Sequence, residues 1–558
     1  MSATYRLNGM VYADMVKSGA ANLRENAQTV NELNVFPIPD GDTGENMART
    51  IEGGVGALDT AASDKISAVE STMAGGMLLA ARGNSGVILS QFFEGMRKGL
   101  EGLTDVGVKE LRHAFRFGVK QAYSAVVQPT EGTILTVMRE ACDKTDSVAD
   151  SASIEQFFDV FIDEMYASLE RTPDLLPVLR EAGVIDSGGA GFVYIIEGMS
   201  RALRGETVTA HTGHSGFSVE SAATADDSKF TADSPMQFGY CTEAIVQLMN
   251  KKTDAEKYDV KELISYLESI GGESIVAFKT GTRIKLHVHT FEPDRVFEYC
   301  RKIGEFVTVK VENMSIQHNE SVVRNRFERQ TPKKTEKKPY ACVVVADGEG
   351  LIEQFKSLGA DYVIDGKQTM NPSTQDFITA FDDVNADSIF VFPNNSNVIL
   401  TANQAAKLYK KSRIYVVEST TLAEGYSAMS MLDYSPGDPF AIKQAFSEAI
   451  ENTTTGLVSY AVRDCVMNGC EIKKGDWIGF ADKKIISASK DITECACELL
   501  DKISKKDKSI ILAIRGKDGA DDKTVAKIAE HLQATAPEIE FYDFQGDQDV
   551  YAYIFVVE

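Results

Sequence analysis

The chain has 558 residues, and at roughly 100–200 residues per domain that length calls for several domains. Its 43% hydrophobic and 25% charged residues exclude wholesale disorder. With 58 Lys and Arg against 82 Asp and Glu, the formal charge of −24 argues against a protein that coats nucleic acid or clings to anionic lipid through general positive charge. No apolar run nears the roughly 20 residues that span a bilayer, so no transmembrane segment is expected. The first residues, MSATYRLNGMVYADMVKSG, lack the layout of an export signal, and the eight cysteines show no paired framework; both point to the cytoplasm.

In chain order, residues 1–208 read as helical. Tyr12, Met15, Val16, Ala20 and Leu23 recur at helical spacing, as do Leu111, Phe115, Val119, Ala122 and Val126, and then Ile154, Phe157, Phe161, Met165 and Leu169. Such stripes are core-facing and carry the fold. Residues 209–236 are small and polar, a linker. Residues 237–323 alternate short strand-like runs (274–278, 283–289, 306–312) with helix-like stretches (260–270, 293–302), which predicts a compact α+β unit. Residues 324–339 include RNRFERQTPKKTEKK, with seven positive and two negative side chains, a solvated hinge or a docking strip for an acidic partner or a membrane surface. From 340 to 558 apolar strands such as CVVVA, YVIDG, SIFVF and IYVVE alternate with helical stretches, the pattern of parallel strands with helical crossovers; WIGFA, KIISAS, SIILAIRG and YIFVV add strands to a second lobe. The expected fold is therefore an all-α helical bundle or barrel, a small α+β middle domain and an α/β C-terminal region.

The richest chemical signal is NVFPIPDGDTGENMART at 34–50. Pro37 and Pro39 forbid helix there, so an ordered loop follows the first helical stripe. Asp40 and Asp42 flank Gly41, and in a turning segment both carboxylates can face one point, the natural use of which is to hold a hard divalent cation shared with phosphates. Asn34, Thr43 and Asn46 offer further polar atoms. The run Asp-Gly-Asp-Thr-Gly also composes an ordinary turn, and the spacing of an EF-hand is missing. A second element pairs Gly75-Gly76 with Arg82-Gly83-Asn84-Ser85-Gly86 ahead of a helix; small residues at a helix start let phosphate oxygens approach free N–H groups. The G-K-[ST] ending of a Walker A loop is absent. A third cluster, Asp186-Ser187-Gly188-Gly189, and a segment around Thr133 also open helices. One acidic loop and several glycine turns on a helical scaffold favour a nucleotide–metal site at one end of the bundle.

In the middle domain, His287 and His289 stand two apart on a predicted strand and therefore on one face, and Cys241 precedes them in the same domain. A Cys241 thiolate would complete a Cys-His-His set of the kind that binds Zn²⁺, although H-x-H is frequently structural and Cys241 equally suits a small buried side chain. After the C-terminal strands, Lys367, Thr369, Ser373 and Asn395 lie where open α/β sheets place ligand loops, and they equally suit helix caps.

The segments LNVFPIPDGDTGENM, AARGNSGVILSQF, EGTILTV and DSGGAGFV, in this order, resemble the nucleotide domain of the dihydroxyacetone-kinase L type, and the whole chain resembles the catalytic subunit of bacterial fatty acid kinase. That resemblance implies ATP and Mg²⁺ held by Asn34, Asp40 and Asp42, phosphates approached by Arg82–Gly86 with Ser85 as a side-chain donor, and a nucleotide pocket lined by Thr133, Asp186, Gly188 and Gly189. It implies a zinc site of Cys241, His287 and His289 that matters for activity, a homodimer built on the middle domain, and a DegV-like C-terminal region that meets a DegV-type fatty-acid-binding carrier. Where dihydroxyacetone kinases carry a third aspartate and a histidine, this chain has Asn34 and Thr43, and its loop is one residue longer. The implied reaction is ATP-dependent phosphorylation of a fatty acid carboxylate. A dihydroxyacetone- or glycerol-type small-polyol kinase and a non-catalytic, nucleotide-sensing lipid-binding scaffold are the alternatives.

Overall fold

The computed structural model describes residues 3–34, 41–58, 63–206, 240–255, 257–271, 273–280, 282–313, 337–366, 370–462, 464–467, 470–482, 484–504 and 508–558. Two compact units result: Met1–Gly213 together with Lys337–Glu558, and His214–Glu336. Among the described residues no helix is long and apolar enough to cross a membrane.

The helical region runs β1 (Leu7–Asn8), α1 (Gly9–Glu32), α2 (Thr43–Leu58), α3 (Ile66–Ala80), α4 (Gly83–Gly99), β2 (Asp105–Val106), α5 (Val108–Ala125), α6 (Ile134–Lys144), α7 (Ile154–Leu175), α8 (Pro177–Ala182) and α9 (Ser187–Leu203). Tyr12, Met15, Val16 and Leu23 of the first expected stripe are buried, as are Leu111 and Phe115 of the second and Phe157 and Phe161 of the third. Edge-to-face phenylalanines knit these helices: Phe92 meets Phe115 at 5.7 Å and Phe192 at 5.1 Å, and Phe115 meets Phe161 at 5.0 Å. The helices also approach through missing side chains. A Cβ on Gly198 would stand 2.7 Å from the Gly19 Cα, so α9 lies directly against α1.

Gly75 and Gly76, expected in a phosphate turn, instead lie inside α3, where a Cβ on Gly76 would sit 2.4 Å from the Gly53 carbonyl of α2. Gly76 is small because two helices cross there.

The middle unit contains β3 (Tyr240–Leu248), α10 (Val260–Ser269), β4 (Glu273–Thr280), β5 (Arg283–Thr290), α11 (Pro293–Ile303) and β6 (Gly304–Asn313). Its antiparallel sheet has the order β4-β5-β3-β6, and Ala244, Val246, Leu286 and Val288 pack with Leu263, Leu267 and Val296 of the two helices. This is the α+β unit the sequence predicts.

In the C-terminal region β7 (Lys338–Ala346), α12 (Glu349–Ser357), β8 (Tyr362–Asp365), α13 (Thr374–Val384), β9 (Ala386–Phe392), α14 (Ile399–Leu408) and β10 (Arg413–Val416) form a parallel sheet of order β10-β9-β7-β8. Lys338 already pairs with Ala386, so the first strand reaches into the basic stretch. There follow α15 (Leu422–Ser430), α16 (Pro439–Asn452), β11 (Thr454–Tyr460), β12 (Cys465–Met467), β13 (Cys470–Ile472), β14 (Trp477–Ala481), β15 (Lys484–Ser489), α17 (Ile492–Ile503), β16 (Ile510–Arg515), α18 (Asp522–Thr535), β17 (Glu540–Gln545) and β18 (Tyr553–Val557). The second sheet has the order β15-β14-β11-β18-β16-β17. Cys342, Phe390 and Phe392 of the first sheet share a core with Ile514, Ile554 and Val556 of the second.

Candidate active site

The site is built where helices begin. The Asp42 carbonyl accepts the Asn46 N–H at 2.8 Å, so Asp42 stands at the entrance of α2. The first-turn N–H groups of Gly44 and Glu45 donate to Asn31 Oδ1 at 2.7 and 3.4 Å. Sequence reasoning misses Asn31, at the end of α1, because a cap supplied from thirteen residues upstream has no local signature. Asn34 lies beside the returning chain, its Cβ 3.6 Å from where a Gly41 Cβ would stand. The loop is therefore closed at its base, with Asn34 near Asp42's segment; Asp40 lies outside the described residues.

Gly83 opens α4 rather than preceding it, so Gly83, Asn84, Ser85 and Gly86 are the helix's first turn. Gly83 has φ of +56°, and a Cβ there would come within 2.7 Å of Asn46 Nδ2. Gly86 packs over Thr50, whose hydroxyl donates to the Asn46 carbonyl at 2.7 Å. The first turns of α2 and α4 thus touch through Asn46. Arg82, half-buried at the entrance of α4, has its pKa lowered by burial, opposed by the carboxylate of Asp376.

Ser187, the first residue of α9, donates to Thr43 Oγ1 at 3.4 Å, and Gly188 packs on Ile134, the first residue of α6. Asp186 caps α9 by accepting the Gly189 N–H at 2.7 Å and also receives the Ile134 N–H. Burial pushes its carboxyl up to about 6, while the two backbone donors pull it down. Thr133 stands at the entrance of α6, but its hydroxyl donates to the Thr130 carbonyl at 2.7 Å. Four helix N-termini, those of α2, α4, α6 and α9, therefore meet at one end of the bundle. A helix start carries a partial positive charge and N–H groups with no partner in their own helix. The oxygens of Asn34 and Asp42 are hard donors suited to Mg²⁺, and the surrounding N–H groups suit phosphate.

A further wall of the site comes from the far end of the chain, where the sequence marks only a turn after a strand. Asn371 Nδ2 donates to Asp42 Oδ2. The Thr374 N–H donates to the Ala81 carbonyl at 3.1 Å, and Asn84 Nδ2 donates to Asn397 Oδ1 at 3.0 Å. Ser373 proves to be the cap of α13 and Asn395 closes its own turn on the Asn397 N–H, whereas Lys367 and Thr369 lie outside the described residues.

In the middle unit Cys241 of β3 is the register partner of His289 on β5 and Glu312 on β6, and Glu243 is the partner of His287. The register brings the three candidate zinc residues to neighbouring positions of adjacent strands, while the side chains at 241, 287 and 289 lie outside the described residues. Among the described residues no group of three His, Cys, Asp or Glu is arranged to hold a metal.

Three family models match successive parts of the chain. Residues 37–201 match the DAK2 domain, 237–321 the middle domain of FakA-like fatty acid kinase proteins, and 341–558 the C-terminal domain of the same proteins. The chain is 37% identical to Protein YloV of Bacillus subtilis over 558 residues, covering 99% of each. It is 36% identical to a Staphylococcus saprophyticus protein over 563 residues, covering 99% of this chain and 100% of the relative. Among solved structures it is similar to DegV, a fatty acid binding protein from Bacillus subtilis, at 14% identity and a TM-score of 0.30, over 39% of this chain and 98% of that one.

Proposed function

Because the chain belongs to the FakA-like fatty acid kinase family, whose DAK2 region is of a phosphotransferase kind, we propose that it moves the γ-phosphoryl group of ATP onto the carboxylate of a fatty acid presented by a separate DegV-type carrier, giving acyl phosphate and ADP. The observation that carries this reading is the meeting of four helix N-termini around Asp42. Phosphoryl transfer asks a protein mainly for positioning and charge neutralisation, and no covalent enzyme intermediate is required. The N–H groups that open α4 and α9 orient phosphate oxygens, and Arg82 adds positive charge beside them. Asp42, Asn34 and Asp40 would hold Mg²⁺, which when bound neutralises charge on the phosphates. Asn31 keeps the entrance of α2 in place so that Asp42 stays aimed. A carrier makes physical sense for a long acyl chain, since each buried methylene gains about 0.8 kcal/mol over exposure to water.

By the same reading the middle domain holds zinc through Cys241, His287 and His289 and pairs two copies of the chain in the cytoplasm. The cross-strand pairing of positions 241 and 289 supports the zinc part.

The test is an assay of labelled ATP with purified protein, oleate-loaded carrier and Mg²⁺. Acyl phosphate should form with the wild type and be lost in the Asp40→Ala/Asp42→Ala variant, with an unchanged circular dichroism spectrum. Full activity in that variant, or transfer to dihydroxyacetone or glycerol instead of the fatty acid, overturns the proposal.

A further inference from the structure

We propose that the C-terminal α/β region is docked on the acceptor side of the phosphate site, and that the acyl carrier competes with it for that surface. This rests on the phosphotransfer reading for the identity of the partner, but the docking itself stands on contacts.

The contacts fall on the residues that matter for chemistry. Asn371 donates to Asp42, the Thr374 N–H at the start of α13 donates to the Ala81 carbonyl, and Asn397 accepts from Asn84 in the first turn of α4. Asn371 Oδ1 lies 3.6 Å from where a Gly83 Cβ would stand. A carboxamide donating into the Asp42 carboxylate engages a lone pair that a metal would use. Farther along α4, Gln91 Nε2 donates to Gln404 Oε1 at 2.8 Å, and Gln404 Nε2 donates to the Leu78 carbonyl at 2.8 Å. An acceptor brought by another protein has to approach the same first turn of α4.

The chemistry of the contact is that of a surface made to part. Among the described residues its hydrogen bonds run between side-chain amides, from amide to carboxylate, from amide to backbone carbonyl, or between backbone groups. Among the described residues, the buried apolar cluster of the helical region contains none beyond 203 and the C-terminal clusters none before 340, so no apolar cluster spans the two. Contacts between folded parts that lack a common apolar core are those that open readily. Arg82 Nε and Asn84 Oδ1, beside this contact, are buried without a hydrogen-bond partner among the described residues.

The seated loops also have a particular place in the fold. Asn371 follows β8 and Asn397 follows β9, at the carboxyl ends of the parallel strands, where open α/β sheets present ligands. The chain therefore offers its own phosphate site the kind of edge from which an α/β carrier would offer a carboxylate.

The experiment uses the full chain and an oleate-loaded DegV-type carrier. In Gln91→Glu/Gln404→Glu two carboxylates face each other across the contact; in Gln91→Glu/Gln404→Lys an ion pair replaces the amide pair, and Gln121 can still donate to position 91 as it does now at 2.7 Å. Amide hydrogen exchange over residues 78–86 and the carrier's Kd by calorimetry are read for both. The repulsive pair should raise exchange severalfold and lower the carrier Kd at least fivefold, and the attractive pair should do the reverse. Unchanged exchange in the repulsive pair refutes docking. Raised exchange with an unchanged or weaker carrier Kd refutes competition. Neither readout needs turnover, so a wild type that makes no acyl phosphate sinks the proposed reaction without touching this result.

Discussion

The phenolic hydroxyl of Tyr12 donates to Glu70 Oε2 at 2.7 Å in the apolar centre of the helical region, and both side chains are buried. Burial pushes the Glu70 carboxyl from its ordinary 4.5 to about 8, with the tyrosine donor pulling the other way. The folded chain thus keeps a proton that the unfolded chain releases above pH 4.5. The stabilising contribution is fully present below that value and is lost as pH rises through about 8. Glu70→Gln removes the titration while keeping the shape. Its Tm should exceed that of the wild type at about pH 8.5, with the gap shrinking toward about pH 5. Parallel Tm curves for the two proteins would show that Glu70 does not titrate in this range.

Asn31→Ala removes the acceptor shared by the Gly44 and Glu45 N–H groups. The loss of stability should be about 1 kcal/mol, the usual cost of a lost cap. If the entrance of α2 aims Asp42, affinity for Mg·ADP should fall about tenfold, which corresponds to about 1.4 kcal/mol. Asn31→Asp keeps an acceptor and should retain most of that affinity. Calorimetric titration of both variants decides the matter.

Gly76→Ala and Gly83→Ala separate packing from phosphate binding. At Gly76 the new methyl meets the Gly53 backbone, and α2 must part from α3 at a cost of about 1–3 kcal/mol in stability. Nucleotide affinity measured well below the melting range should hold. At Gly83 the positive φ costs about 1–3 kcal/mol and the methyl meets Asn46 inside the site, so affinity should fall together with stability. Equal loss of nucleotide affinity in both variants would contradict this division.

Zinc gives a fourth test. Protein purified without chelator should carry about one zinc per chain, as a single three-ligand site requires. Cys241→Ser should lower that content sharply, and elemental analysis reads it directly. Full zinc content in the variant places the metal elsewhere.

Much of this architecture is legible in the residues themselves. The helical stripes through Tyr12, Phe115 and Phe161 mark buried faces, and CVVVA, SIFVF and IYVVE mark strands of the parallel sheet. Among the strands that escape such reading, two do so for opposite reasons. In β11 the run TTGLVSY is broken by Gly456, which is bare because Ile503 packs 2.7 Å from its would-be Cβ. In β17 the run EFYDFQ is an edge strand, half in water, and so lacks an apolar signature. The site is legible as a set of helix starts, because Asp, Ser and Gly announce them. Asn31 and Asn371 are not, since each acts on a residue distant in the chain and nothing beside it in sequence records the partner. Gly75-Gly76 misleads for a related reason: glycine marks close approach, whether of a phosphate or of a neighbouring helix.

Where Gly19 and Gly198 cross, Asn22 Nδ2 donates to the Tyr194 carbonyl at 2.6 Å and Leu23 packs beside Gly191. The two helices α1 and α9 therefore run in opposite directions, and the start of the first neighbours the finish of the last. That seam closes the helical region at the end opposite the entrances of α2 and α9, so a substitution in it should leave those helix starts where they are.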